Sequence, residues 1–487
     1  MPNTSIPTLS TLDGTTGFKL SGFSGGDNAG FSVSSAGDFN GDGFDDFLVS
    51  APDAPGDVAH AGATYLVWGK ASGFGGSFTP ALLDGSNGFQ LLGGTDGDRL
   101  GQSVSRAGDL NGDGFDDLIL GASGVPGTAA GAAYVVFGWL AGFGATLSLA
   151  AMTQVVGFGL TGAAGGDNAG YSVGDAGDVN GDGFGDLLVG APGASVGALS
   201  DAGASYVVFG RSAPFDLTAS LSTLDGSNGF RLSGAAANAL SGSSVGSAGD
   251  VNGDGYDDLV IGAPGATAGT MANAGVSYVV FGKAGGFAAD LDLSTLDGSN
   301  GFQLLGVAAG DAGGTAVGSA GDINGDGYDD LVVGAPSGSA GLGAAYVVFG
   351  KASGFAATLS LAALTGANGF KLAGAAAGDL AGRSVSRAGD INGDGLDDLL
   401  IGAPQNDANG SGAGAAYVLF GSTAGFAATV DVSTLSGSSG FQLSGVDGSD
   451  LAGGSVSDAG DVNGDGFADL LVGARAADGA ANSAGAA

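Results

Sequence analysis

A nine-residue segment, Asp38-Phe39-Asn40-Gly41-Asp42-Gly43-Phe44-Asp45-Asp46, returns seven times in this chain. The copies open at Asp38, Asp109, Asp178, Asp250, Asp322, Asp390 and Asp461, at steps of 71, 69, 72, 72, 68 and 71 residues. A period of this size means that each repeat is one structural unit, which buries its apolar face against its neighbours. A chain of 487 residues therefore need not hold several domains.

Within the first unit, residues 31–36 alternate in polarity and predict a strand. After the Asp loop, residues 47–51 form a continuous apolar run, as expected of a strand buried on both faces. Pro52 ends that run, because proline cannot donate to a sheet ladder. Residues 63–68 are aromatic and β-branched, a third strand, and residues 88–93 are a fourth. The third recurs, for example, as Tyr206-Val207-Val208-Phe209. No segment has a convincing helical period. Four strands per unit predict an all-β, seven-bladed β-propeller of four-stranded antiparallel blades, one domain over residues 1–487. A copy of the fourth strand, Gly17-Phe18-Lys19-Leu20, precedes the first Asp loop, and the last unit stops at Ala484-Gly485-Ala486-Ala487 before its third strand. The expectation is that the N-terminal strand closes the last blade. One strand is then missing through C-terminal truncation, and further domains follow residue 487.

The loop has the donor pattern of a Ca²⁺ site: oxygen ligands at positions 1, 3, 5, 7 and 9 around a sharp glycine turn. Side-chain donors at positions 1, 3, 5 and 9 are Asp38, Asn40, Asp42 and Asp46 in the first loop, then Asp109, Asn111, Asp113 and Asp117. The third and fourth loops supply Asp178, Asn180, Asp182 and Asp186, and Asp250, Asn252, Asp254 and Asp258. The last three supply Asp322, Asn324, Asp326 and Asp330; Asp390, Asn392, Asp394 and Asp398; and Asp461, Asn463, Asp465 and Asp469. Position 7 offers only its carbonyl, so it varies: Phe44, Phe115, Phe184, Tyr256, Tyr328, Leu396 and Phe467. Position 12 is Val49, where an EF-hand has a bidentate Glu, and strands flank the loop. Up to seven Ca²⁺ ions are expected. Position 8 drifts from Asp to Gly185 and Ala468, and reads as solvent-facing. The competing reading is a metal-free turn held by Asx hydrogen bonds.

All 49 acidic residues are Asp, and with 12 Lys and Arg the net charge is −37. That charge argues against nucleic acid and anionic membrane surfaces as partners. There is no Cys, so redox chemistry says nothing of compartment. No apolar run approaches the ~18 residues of a membrane span. Residues 1–18 show no basic segment followed by an apolar one, so no secretory signal is visible.

The Asp loop is joined by Gly-Ala-Pro after the second strand, at Gly190-Ala191-Pro192, Gly262-Ala263-Pro264, Gly334-Ala335-Pro336 and Gly402-Ala403-Pro404. With the aromatic third strand, the chain resembles FG-GAP repeat proteins and looks like the propeller of integrin α subunits over essentially its whole length. It departs from them at Ser50-Ala51-Pro52, Gly121-Ala122-Ser123 and Gly473-Ala474-Arg475, and its Phe-Gly element is eroded. The near-identical units resemble bacterial secreted proteins. That resemblance implies an extracellular or cell-surface protein, with calcium-binding nonapeptide repeats downstream and type I secretion.

The expected function is a monomeric, calcium-loaded propeller that binds a protein or glycan outside the cell, in adhesion. The variable loops 53–62, 193–203, 265–275 and 405–414 lie on the face opposite the Asp loops and are the expected binding surface. An accessory or catalytic propeller acting on polysaccharide is one alternative, and a structural spacer of a large secreted protein is another. Catalysis is not expected: there is no Cys or Glu, most acids belong to loops, and the single His60 reads as a solvated loop residue. Three residues before their loops stand Arg106, Asp175, Arg387 and Asp458. They are either ion pairs between neighbouring units or independent solvated charges.

Overall fold

The computed structural model describes residues 9–71, 74–124, 130–140, 142–478 and 483–487. Residues 1–8, part of the stretch read for a secretory leader, lie outside the described residues.

Unit 3 shows how the pattern folds. Ser172–Gly177, Asp186–Ala191, Ala204–Val208 and Gly229–Ser233 form successive antiparallel pairs. Every residue of Asp186–Ala191 is buried, which explains its unbroken apolar run. A bulge between Asp175 and Gly177 ends the first strand and bends the chain into the Asp loop. A fifth strand, Asp290–Asp292, joins parallel to Gly229–Ser233 and comes from the next unit along the chain. The same clasp recurs with Thr146–Ser148, Thr218–Ser220, Thr358–Ser360 and Thr429–Asp431.

Aromatic stacking secures the clasp. Phe158, on a fourth strand, stacks on Phe215 of the following unit with centroids 4.4 Å apart. Phe230 stacks on Phe287 and Phe370 on Phe426 in the same way. Each such pair adds about 0.5–1.5 kcal/mol beyond its buried area. The core is accordingly shared between units: Phe230 and Leu232 cluster with Ile261 and Tyr278 of the next unit.

The expectation of seven four-stranded blades is corrected by the sheet topology. Five units form five-stranded sheets and one a four-stranded sheet, giving six blades. The seventh unit forms only a two-stranded sheet, Ala452–Gly460 with Asp469–Ala474. Its residues 484–487 correspond to Ala413-Gly414-Ala415-Ala416, which lead into the third strand of unit 6, and no counterpart of Tyr417-Val418-Leu419 follows them here. The third-strand position is not vacant either, contrary to expectation. Ala486 bridges Ala474 on one side and Ser21 on the other, and Leu20 and Ala487 exchange backbone hydrogen bonds of 2.7 and 2.9 Å. Lys19–Leu20 pairs with Ser77–Phe78 in a small parallel sheet of its own.

The innermost strands of all the units stand side by side, each beside the next, and that of unit 7 stands beside that of unit 1. They surround a polar cavity of about 410 Å³, whose lining includes Ser35, Arg106, Asp175, Ser247, Arg387 and Asp458. Among the described residues, helix is limited to three-residue 3₁₀ turns such as Leu221–Thr223 and the short helix Gly338–Gly341.

The Asp loops as a candidate metal site

Each Asp loop is wound around its own first carboxylate. In unit 3, Asp178 Oδ1 accepts the N–H groups of Gly181 and Asp182 at 2.7 and 3.0 Å, and Oδ2 accepts that of Gly183 at 2.9 Å. Asp182 Oδ1 accepts from Phe184 N–H at 3.1 Å. Gly181 and Gly183 have φ of +72° and +89°, a conformation glycine takes without Cβ strain. Position 2 is apolar and buried, as at Phe39, Leu110 and Val179, and roots the loop in the core.

Positions 1, 3 and 5 lie at the loop tip, half-buried or exposed, whereas position 9 is withdrawn. Asp46, Asp117, Asp186, Asp258, Asp330 and Asp398 are completely buried, and Asp469 is half-buried. Asp117 Oδ1 accepts Gly138 N–H at 2.8 Å and its Oδ2 accepts Leu110 N–H at 3.0 Å. Asp186 and Asp258 bind the equivalent pair of N–H groups. Position 9 thus ties the loop to the end of the third strand. Position 3 reaches the same carboxylate: Asn324 Nδ2 is 3.2 Å from Asp330 Oδ2, and Asn463 Nδ2 is 3.0 Å from Asp469 Oδ2.

Burial makes these carboxylates hard to ionise. It pushes Asp46, Asp117, Asp186, Asp258 and Asp330 up to about 8, and Asp398 and Asp469 up to about 6. At Asp46 the negative charges of Asp42 and Asp38 add to the effect. Asp46 Oδ2 is buried without a hydrogen-bond partner. Among the described residues, no group of three or more acids or histidines is gathered closely enough to hold a metal ion. The tip carboxylates are instead turned to loop N–H groups. The donor set nonetheless fits a hard cation: carboxylate, amide and carbonyl oxygens, with an unpartnered buried oxygen at Asp46 in the first loop.

Two signals in the loop went unread in the sequence. Position 7 has a use for its side chain: a Cβ added at Gly112 would lie 2.5 Å from the Phe184 ring of the next unit. Phe115 covers Gly41 in the same way, and Tyr256 covers Gly181. Position 8, read as solvent-facing, is corrected to a contact between units. Asp116, Asp257, Asp329, Asp397 and Asp45 each accept the backbone N–H of the preceding unit's position 1, at 2.8–3.1 Å. A recurring aromatic at position 7 and an acid at position 8 in five of seven copies were the clues.

Four of the charged residues lining the central cavity form two ion pairs. Arg106 Nε is 3.3 Å from Asp175 Oδ2, and Arg387 Nε is 3.6 Å from Asp458 Oδ2. On the opposite face, Asp53 of loop 53–62 pairs with Arg99 at 3.3 Å and accepts Asn28 Nδ2 at 2.6 Å. His60 is exposed, with φ of +53°.

A ring of sheets whose units each open on a buried-Asp loop defines a β-propeller of the Asp-loop repeat class. The sequence model of the FG-GAP repeat matches residues 29–67, 100–136, 169–208, 241–280, 313–348, 381–419 and 453–487, so this chain belongs to the FG-GAP repeat family. It is similar to integrin alpha-PS5 of Drosophila melanogaster, 34% identical over 180 residues, 36% of this chain and 16% of that protein. It is also similar to phosphatidylinositol-glycan-specific phospholipase D of Rattus norvegicus, 33% identical over 162 residues, 33% of this chain and 17% of that protein. Integrin alpha-4 of Xenopus laevis is 29% identical over 160 residues, 33% of this chain and 14% of that protein. The matches thus span about one sixth of these relatives' lengths.

Proposed function

We propose that this chain is a calcium-binding propeller that acts outside the cell in adhesion, by holding a protein or glycan ligand. The observation that carries the calcium reading is the buried position-9 carboxylate repeated in the loops, with an unpartnered oxygen at Asp46. A bound Ca²⁺ supplies the positive charge that lets these carboxylates ionise together. Positions 1, 3, 5 and 9 would hold it by side chains and position 7 by its carbonyl. Similarity to two integrin alpha chains supports the adhesion reading and an extracellular setting. Loops 53–62, 193–203, 265–275 and 405–414 form the ligand face in this reading, since loops on a rigid frame change without disturbing it.

Among the described residues no helix is long and apolar enough to cross a membrane. The similarity to phosphatidylinositol-glycan-specific phospholipase D favours a second reading, an accessory propeller within a larger enzyme. The test is binding of the chain to a panel of immobilised polysaccharides and extracellular-matrix proteins, with and without Ca²⁺. The adhesion reading expects saturable, Ca²⁺-dependent binding that falls when loop 193–203 is replaced by a short glycine-serine turn. Absence of binding to every member of the panel contradicts it.

A further inference from the structure

Unit 2 departs from the repeat on its outer strands. In five other units a long polar residue of the fourth strand stands opposite a third-strand tyrosine: Gln90 opposite Tyr65, Arg231 opposite Tyr206, Gln303 opposite Tyr278, Lys371 opposite Tyr346 and Gln442 opposite Tyr417. In unit 2 the residue opposite Tyr134 is Gly159. The five other tyrosines are at most 3% exposed, whereas Tyr134 is half-buried. A Cβ at Gly159 would lie 3.5 Å from the Tyr134 ring, an ordinary contact, and its φ is not positive, so neither packing nor backbone demands glycine there. Glycine inside a strand often marks a place where another group comes close.

At this place the structure has a cavity of about 210 Å³, whose lining includes Tyr134, Gly159, Leu149, Met152, Thr161 and Leu217. The other units show what fills it. Gln90 Nε2 donates to Pro80 O at 3.1 Å, and Gln303 Nε2 donates to Leu293 O at 3.5 Å. Each of these carbonyls opens the 3₁₀ turn before the fourth strand. Leu149 opens that turn in unit 2, and among the described residues no side chain donates to its carbonyl. Unit 2 thus keeps the tyrosine ring and the carbonyl that receive a glutamine side chain in units 1 and 4, and lacks the glutamine. Large apolar side chains stand beside the gap. Leu217, 43% exposed, takes the place of Gly76, Ala145, Ala289, Ala357 and Ala428. Val155, 71% exposed, takes the place of Ser86, Ser227, Ser299, Ala367 and Ser438. Gln154 Nε2 donates to Phe215 O at 2.9 Å, which holds the turn carrying Val155 against the segment carrying Leu217. Large apolar groups exposed where a repeat keeps small or polar ones mark a surface that a protein covers.

We propose that this edge of unit 2 docks a partner protein, which inserts a glutamine side chain into the cavity beside Tyr134. The methylenes of that side chain lie against the Tyr134 ring, and its amide donates to Leu149 O, as Gln90 donates to Pro80 O from within the chain. Leu217 and Val155 give apolar contact to the residues that flank it. Glutamine is favoured over lysine or arginine because glutamine makes the bond to the turn carbonyl in units 1 and 4. The site goes beyond the ligand-face reading, since loops 53–62, 193–203, 265–275 and 405–414 contribute nothing to the cavity's lining.

The test is NMR titration of the Ca²⁺-loaded chain, observing tyrosine ring signals, with that of Tyr134 assigned by its loss in Tyr134→Phe. The probes are the peptide acetyl-Leu-Gln-Leu-amide and its counterparts with norleucine, glutamate or lysine in place of glutamine. The glutamine peptide should shift the Tyr134 ring saturably. The norleucine and glutamate peptides should bind at least about five-fold more weakly, the loss of one hydrogen bond. Gly159→Gln supplies the residue that three other units carry, so it should fold, melt no lower than wild type and abolish the shift. No saturable shift in wild type, or an unchanged shift in Gly159→Gln, overturns the proposal. A norleucine or lysine peptide that binds as tightly as the glutamine peptide overturns the amide assignment. Tighter binding of N-acetylglucosamine than of the glutamine peptide overturns the protein assignment.

Discussion

Asp329 Oδ2 accepts the backbone N–H of Asp250 at 2.8 Å, and so joins the Asp loop of one unit to that of its neighbour. Asp257 does the same for Asp178, and Asp45 for Asp461. The two units without this acid, at Gly185 and Ala468, carry Asp175 and Asp458 on the innermost strand instead. Asp175 Oδ1 lies 3.8 Å from where a Gly108 Cβ would be, close to the place that position-8 carboxylates occupy elsewhere. Arg106 and Arg387 complete the exchange by pairing with these relocated acids. Asp329→Ala should therefore cost about 1–2 kcal/mol, the loss of a charged acceptor from a half-buried N–H. Chemical denaturation checks this; an unchanged midpoint would show that the contact contributes nothing.

The relocated pair predicts coupling. Arg106 and Asp175 are partly exposed, so solvent screens their attraction, and a double-mutant cycle with Arg106→Ala and Asp175→Ala should give about 0.5–1 kcal/mol. Adding Gly185→Asp to wild type should destabilise, because it places a second carboxylate beside Asp175. A stabilising Gly185→Asp would contradict the exchange.

Two glycines of one loop should respond differently to the same change. Gly112 and Gly114 both have positive φ, +75° and +90°. A Cβ at Gly112 meets the Phe184 ring at 2.5 Å, whereas one at Gly114 meets nothing within 4 Å. Gly114→Ala should cost only backbone strain, about 1 kcal/mol. Gly112→Ala should cost roughly 2–4 kcal/mol, strain plus the displaced ring. Thermal melts of the two variants read the difference directly.

Asp98 gives a pH signature away from the Asp loops. It is 2% exposed, its Oδ2 accepts Thr95 N–H at 2.9 Å and its Oδ1 has no partner. Burial raises its carboxyl above the usual range, so the protonated form is favoured on folding. Its stabilising contribution is then complete below the ordinary carboxylate value and is lost as pH rises through the raised one. Asp98→Asn keeps an acceptor for Thr95 and removes the titration. The stability of Asp98→Asn relative to wild type should grow from pH 4 to pH 7 at fixed Ca²⁺; a difference that shrinks over that range would contradict this.

The strands, their order and the Asp loops were legible because each follows a local rule: apolar period, turn residues, donor spacing. What the sequence hid lies between units. Thr146–Ser148 is only three residues long and pairs with a strand of the preceding unit, so no local pattern marks it as a strand. Asp329 looks like any loop acid until the ring brings Asp250 beside it. The break in the seventh unit before its third strand was legible as a departure from the repeat. What stayed hidden is that residues as short as Ala486 still bridge Ala474 and Ser21. The arginine pairs were visible as departures from the repeat, and their geometry chose between pairing and independent solvation.

Calcium binding is the centre of this account, and equilibrium Ca²⁺ titration of the chelator-stripped chain tests it most directly. The account predicts saturable binding approaching one ion for each of the seven loops, and a large rise in melting temperature on saturation. Asp186→Asn should remove one ion from that stoichiometry. A stripped chain that takes up no Ca²⁺ and melts at the same temperature with and without it would contradict the account.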